Sequence, residues 1–172
     1  MGFSTMEQQG TRRQTLAAAT TPDRVTTVIE RSSGSSGTES STIRVPSGPS
    51  SVARVRRVLV ADLRDRDVAA TTIDECEIVV SELLSNAVRH ARPLADGTVR
   101  VHWKVKAGVV EVEVTDGGGE TSPRPAPRTV WAHSGRGLRI VRSLAHEWGV
   151  AEDRHGITVW ASLGGPSRRR SR

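Results

Sequence analysis

At 172 residues with 35% hydrophobic side chains, the chain has the size and apolar content for one domain with a core and looser ends. The single cysteine, Cys76, excludes a disulfide framework or a cysteine metal cluster, and no run approaches the ~20 apolar residues of a membrane span. The formal charge of +6 does not mark a nucleic-acid surface, because residues 42–163 hold 17 Lys+Arg against 15 Asp+Glu and aromatics are only 3%. A cytoplasmic protein with no direct nucleic-acid or membrane partner is the expectation.

Residues 1–41 are poor in large apolar side chains, and 31–42 is nearly all Ser, Gly and Thr, so this part is expected to be a disordered arm. Order is expected from Thr42-Ile43-Arg44-Val45-Pro46, a short strand candidate. Ser50 or Ser51 then caps a helix with Val52, Val55, Leu59 and Leu63 on one face, ending near Arg66. A second helix starts near Thr72 or Asp74, carries Ile78, Val79, Leu83, Ala87 and Ala91 at helical spacing, and stops at Pro93. Cys76 reads as a small core residue on it, and His90 as a structural residue at its end.

The period then changes to two. Val99, Val101, Trp103 and Val105 alternate with Arg100, His102, Lys104 and Lys106, and after Ala107-Gly108, Val110, Val112 and Val114 alternate with Glu111 and Glu113. Such a pair predicts an antiparallel hairpin. From Gly117 to Ser134 no apolar period appears, and Pro123, Pro125 and Pro127 predict a long loop. Leu138, Ile140, Val141, Leu144 and Ala145 give a third helix, followed by strands at Trp148–Val150 and Ile157–Ala161. Residues 164–172, with Arg168-Arg169-Arg170, read as a basic disordered tail. The order β, α, α, β, β, loop, α, β, β predicts an α+β fold, a two-layer sandwich of a mixed, mostly antiparallel sheet with three helices on one face.

Four short motifs carry chemistry on this frame. Glu82 and Asn86 are four apart on the second helix, so both point the same way while Val79, Leu83 and Ala87 turn toward the core. Asp116-Gly117-Gly118-Gly119 makes a glycine turn after a strand, where the backbone can approach a ligand closely. Gly135-Arg136-Gly137-Leu138 opens a helix, whose first N–H groups attract phosphate. Each motif alone is compatible with an exposed helix face or an ordinary turn.

In this order and spacing the motifs resemble the GHKL family of ATP-binding proteins, which includes gyrase and the histidine kinases, and the resemblance covers residues 42–163. It implies the GHKL fold and an ATP and Mg²⁺ site in which Asn86 is the metal's side-chain donor and Glu82 the catalytic base. It also places Asp116 at the adenine amine with Gly118 beneath the base, the Gly135–Leu138 segment at the phosphates, and Thr158 near the adenine. Residues 119–134, with Arg124 and Arg128, would be the lid over the nucleotide. Glu120 departs from the pattern, which has a glycine there.

The phrases Ser81-Glu82-x-x-x-Asn86-Ala87-x-x-His90 and Ser134-Gly135-x-Gly137 are similar to those of stand-alone anti-sigma-factor serine/threonine kinases. Gyrase-type members need further transducing domains, and a sensor kinase needs a phosphoacceptor histidine ahead of the ATP domain, where this sequence has none. The narrower resemblance implies a homodimer that sequesters a sigma factor and phosphorylates a Ser or Thr of a STAS-type anti-anti-sigma partner. The alternative is an ATP-dependent binding module that sequesters its partner without transferring phosphate.

Overall fold

The computed structural model describes residues 14–17, 28–34, 37–119 and 137–165. In chain order these form β1 (Gln14–Ala17), β2 (Val28–Ser33), β3 (Glu39–Pro46), α1 (Pro49–Asp65), α2 (Ala70–His90), β4 (Thr98–Lys106), β5 (Val109–Asp116), α3 (Gly137–Leu144), β6 (Glu147–Asp153) and β7 (Gly156–Gly164). The strands make one sheet in the order β1-β2-β3-β4-β5-β7-β6. Every pairing among them is antiparallel, which narrows the mixed sheet expected from the sequence.

The period-2 pattern gives the sheet one apolar face. Ile43 and Val45 of β3, Val99, Val101 and Trp103 of β4, Val110, Val112 and Val114 of β5, and Ala161 and Leu163 of β7 are all buried. Against them lie Val55, Leu59 and Leu63 of α1 and Val79, Val80, Leu83 and Leu84 of α2, also buried. The helices therefore form the second layer, α1 on β3, α2 on β4, β5 and β7, and α3 against α2 and β6. Cys76 is fully enclosed, and its thiol is pushed up to about 12 by burial and, less strongly, by Glu75, as suits an inert packing residue. Among the described residues no helix is long and apolar enough to cross a membrane.

Several local expectations are corrected. The Ser-rich segment before residue 42 is not wholly an unstructured arm: β2 pairs with β3, Ile29 opposite Ile43 and Arg31 opposite Ser41, and β3 starts at Glu39. A strand edge offers its own N–H and C=O groups, so pairing there needs no large apolar side chains. Helix α1 starts at Pro49 after Gly48, without a side-chain cap, and Ser51 Oγ instead donates to the Pro46 carbonyl at 2.7 Å. Ile78 turns outward at 46% exposure, and His90 is exposed. The basic tail lies outside the described residues from Pro166 onward.

One polar cluster inside the core has no sequence signature. Asp62 on α1 is buried and accepts from Trp103 Nε1 at 2.7 Å and Ser41 Oγ at 3.1 Å. It also pairs with Arg66 at 2.9 Å and Arg31 at 2.6 Å. One carboxylate thus ties α1 to β2, β3 and β4.

Candidate functional site

Helix α2 supplies the first two functional side chains. Val79, Val80, Leu83, Leu84 and Ala87 anchor it in the core, and Glu82 and Asn86, one turn apart, are left half-buried on its flank. The N-terminus of α3 arrives on this flank with Gly137. A Cβ on Gly137 would stand 2.6 Å from Glu82 Oε2, 3.3 Å from Asn86 Nδ2 and 3.6 Å from Asn86 Oδ1. Only a residue without a side chain brings the α3 backbone so close to both groups.

Leu138, next on α3, packs its side chain on the core, so only its backbone N–H at the start of the helix is available on this flank. Gly135, Arg136, Glu120 and the Pro-rich loop with Arg124 and Arg128 lie outside the described residues.

The third element is the end of β5. Val110, Val112 and Val114 point at the helices, and continued alternation sends Asp116 the same way. Asp116 is buried, and its Oδ1 accepts from the Gly118 N–H at 2.8 Å, while no described residue donates to Oδ2. Burial pushes its carboxyl above the usual value of 3.8, against the opposing pull of the Gly118 N–H.

Glycines hold this turn in place. Gly118 has φ +80°, a conformation that excludes most side chains, and Ile157 Cδ1 lies 3.4 Å from where its Cβ would be. Gly117 N–H donates to the Arg92 carbonyl and Arg92 N–H to the Gly118 carbonyl, each at 2.8 Å, so the loop is stapled to the segment that leaves α2. A Cβ on Gly117 would collide with the Pro93 carbonyl, and one on Gly156 with the Asp116 carbonyl. A cavity of about 530 Å³ opens between residues 92–95, 117–119 and 152–157.

Thr158 is a correction. It stands opposite Thr115, not Asp116, and its Oγ1 is 2.8 Å from Thr115 Oγ1 on the sheet face turned away from the helices. The residue opposite Asp116 is Ile157. In a strand one position of register exchanges the faces, so the side chain beside the Asp116 turn is aliphatic. Gly156, Ile157 and the Arg92–Pro93 staple were not singled out from sequence. Gly156 had a signal, since it closes the polar turn after Asp153, whose Oδ1 accepts from its N–H at 3.1 Å.

Glu82, Asn86 and the α3 N-terminus thus converge, and the Asp116 turn is hydrogen-bonded to the segment following the same α2. The family model described as histidine kinase-like ATPase domain matches residues 45–163. The chain belongs to that family. A comparison with curated proteins finds no match.

The histidine kinase-like ATPase domain is an ATP-binding module, and the residues present fit nucleotide and Mg²⁺ on two observations. Asn86 Nδ2 is buried with no hydrogen-bond partner among the described residues, so one end of this amide, which can be either the NH2 or the oxygen, is left unsatisfied there. Gly137 leaves the cradle above it open. An amide oxygen is a hard donor of the kind Mg²⁺ takes alongside phosphate oxygens and water.

Proposed function

We propose that this histidine kinase-like ATPase domain acts as a protein serine/threonine kinase of the anti-sigma type, moving the ATP γ-phosphate to a Ser or Thr of a STAS-type anti-anti-sigma partner and sequestering a sigma factor as a homodimer. The observation that carries the reading is the position of Glu82: its Oε2 lies against Gly137, beside Asn86 and the helix end that faces phosphate. A carboxylate there is placed to take the proton from a hydroxyl attacking the terminal phosphate.

The other residues have separable duties. Asp116 Oδ2 accepts from the exocyclic amine of adenine, while Gly118 and Ile157 give the base a flat, apolar seat. The N–H groups at the start of α3 stabilise charge on the phosphates. Asn86 would hold Mg²⁺, which when bound neutralises phosphate charge. The partner identities rest on the resemblance of the Ser81-to-His90 and Ser134-to-Gly137 phrases to anti-sigma-factor kinases.

The test is phosphotransfer from labelled Mg-ATP to a STAS-type anti-anti-sigma protein by the wild type and Glu82→Gln. Transfer by the wild type, with a loss of about 100-fold or more in the variant and unchanged ATP affinity, supports the kinase. Nucleotide-dependent partner capture without transfer by the wild type would instead establish the binding module, and transfer untouched by the substitution would remove Glu82 from its role.

A further inference from the structure

The sheet face opposite the helices carries a row of four polar side chains in register. Arg44 of β3 stands opposite Arg100 of β4, Arg100 opposite Thr115 of β5, and Thr115 opposite Thr158 of β7. Side chains directly opposite in an antiparallel pair share a face, and like charges in that position repel. Two guanidinium groups side by side therefore call for counter-charge.

Arg44 has one. Its guanidinium pairs with Asp96 at 2.8 Å, and Asp96 also accepts from the Thr98 hydroxyl at 2.6 Å. Arg100 has no carboxylate within ion-pair distance among the described residues, although its charge reaches the Glu113 and Asp153 carboxylates, and its guanidinium donates to Thr115 Oγ1 at 3.1 Å. The nearby Asp153 lies in water, with its Oδ1 accepting from the N–H groups of His155 at 2.7 Å and Gly156 at 3.1 Å. Within the Thr115–Thr158 pair, 2.8 Å apart, one hydroxyl donates to the other, so one O–H remains to donate elsewhere.

Above the row lies a cavity of about 460 Å³, lined also by the apolar Leu94 and Ala95, by Asp96, whose carboxylate is held by Arg44, and by Asp153 and His155 of the β6–β7 turn. That volume suits a small molecule. The floor offers a fixed guanidinium fork and a free hydroxyl donor, which match the several acceptor oxygens of a phosphate group. We propose that this cavity binds a small phosphate-bearing ligand through Arg100 and the Thr115–Thr158 hydroxyls, as a second site on the face opposite Asp116. It sits back to back with the nucleotide site, since Thr115 adjoins Asp116 on β5 and Thr158 adjoins Ile157 on β7.

Titration of the full chain with inorganic phosphate at constant ionic strength, followed by amide NMR, tests this residue by residue. Saturable shifts at Arg100, Thr115 and Thr158 are expected, with affinity falling about tenfold or more in Arg100→Gln and about threefold in Thr158→Val, a change that keeps the strand side chain's shape. Circular dichroism of both variants checks that they are folded. Shifts confined to residues around Glu82, Asn86 and Gly137, acetate binding as tightly as phosphate, or equal affinity in folded Arg100→Gln would each overturn the second site.

Discussion

The side chain that Gly137 lacks would come within 2.6 Å of Glu82 Oε2. The Glu82 carboxylate can therefore keep this position between helices α2 and α3 only while residue 137 is a glycine. Because the atom in the way is the tip of a flexible side chain, a larger residue at 137 displaces the carboxylate rather than breaking the fold. Gly137→Ala is expected to lower phosphotransfer by about 100-fold, the usual scale for a reacting group moved by an ångström, with a stability loss of about 1 kcal/mol. Steady-state transfer rates and urea midpoints measured on the same preparation check both. A wild-type rate in the variant would mean that Glu82 does not work from this position.

With Asp116 in the proposed nucleotide site, ATP binding acquires a pH dependence whose sign follows from burial. Its carboxyl sits above the usual 3.8, so the buried ionised form is disfavoured. Whatever stability this group adds to the free protein is complete below the unfolded value and is lost as pH rises through the folded one. Ligand binding runs the other way, because only the ionised carboxylate leaves Oδ2 as an acceptor. ATP affinity is expected to fall as pH drops through this raised value, earlier than for an ordinary Asp. Asp116→Asn should bind ATP weakly at all pH values and remove that limb of the profile; calorimetric Kd values across the acid range make the comparison, and an unchanged limb in the variant assigns it to another group.

Asp62 is the corresponding point for stability. Removing this carboxylate leaves the indole N–H of Trp103 without its acceptor and the nearly buried Arg66 guanidinium with only Ser41 Oγ at 2.6 Å and the exposed Glu39 at 3.8 Å. Breaking a buried pair from one side costs about 3–5 kcal/mol, so Asp62→Ala should lower the unfolding free energy measured by urea titration by about that much. A loss below about 0.5 kcal/mol would show that the cluster is not the clasp between α1 and the sheet.

Much of this was legible in the sequence because local chemistry and tertiary demand agree. The 3.6 period of α2 and the period-2 runs of β4 and β5 each encode a buried face, and the fold uses those faces. That Glu82 and Asn86 share one flank of α2 was readable from helical spacing, while spacing alone fits an exposed helix face as well as a site. What resisted reading depends on partners distant in sequence. Thr158 was expected near the adenine, but the β5–β7 register puts Ile157 opposite Asp116, and no local pattern fixes register between strands whose paired Thr115 and Thr158 are 43 positions apart. Asp62 looked like one more charge on α1 because its partners Ser41 and Trp103 come from other strands. Strand β2, with only Val28 and Ile29 as apolar residues, contributes backbone pairing to both β1 and β3, which composition does not reveal.

The central claim is that Asn86, whose amide has one buried end without a hydrogen-bond partner among the described residues, completes a Mg-ATP site between α2 and the start of α3. Calorimetric titration of ATP into wild type and Asn86→Ala, each with and without Mg²⁺, tests it most directly. The account predicts that Mg²⁺ tightens ATP binding about tenfold or more in the wild type and hardly at all in Asn86→Ala. An equal Mg²⁺ effect in both proteins, or no ATP binding by the wild type, would contradict it.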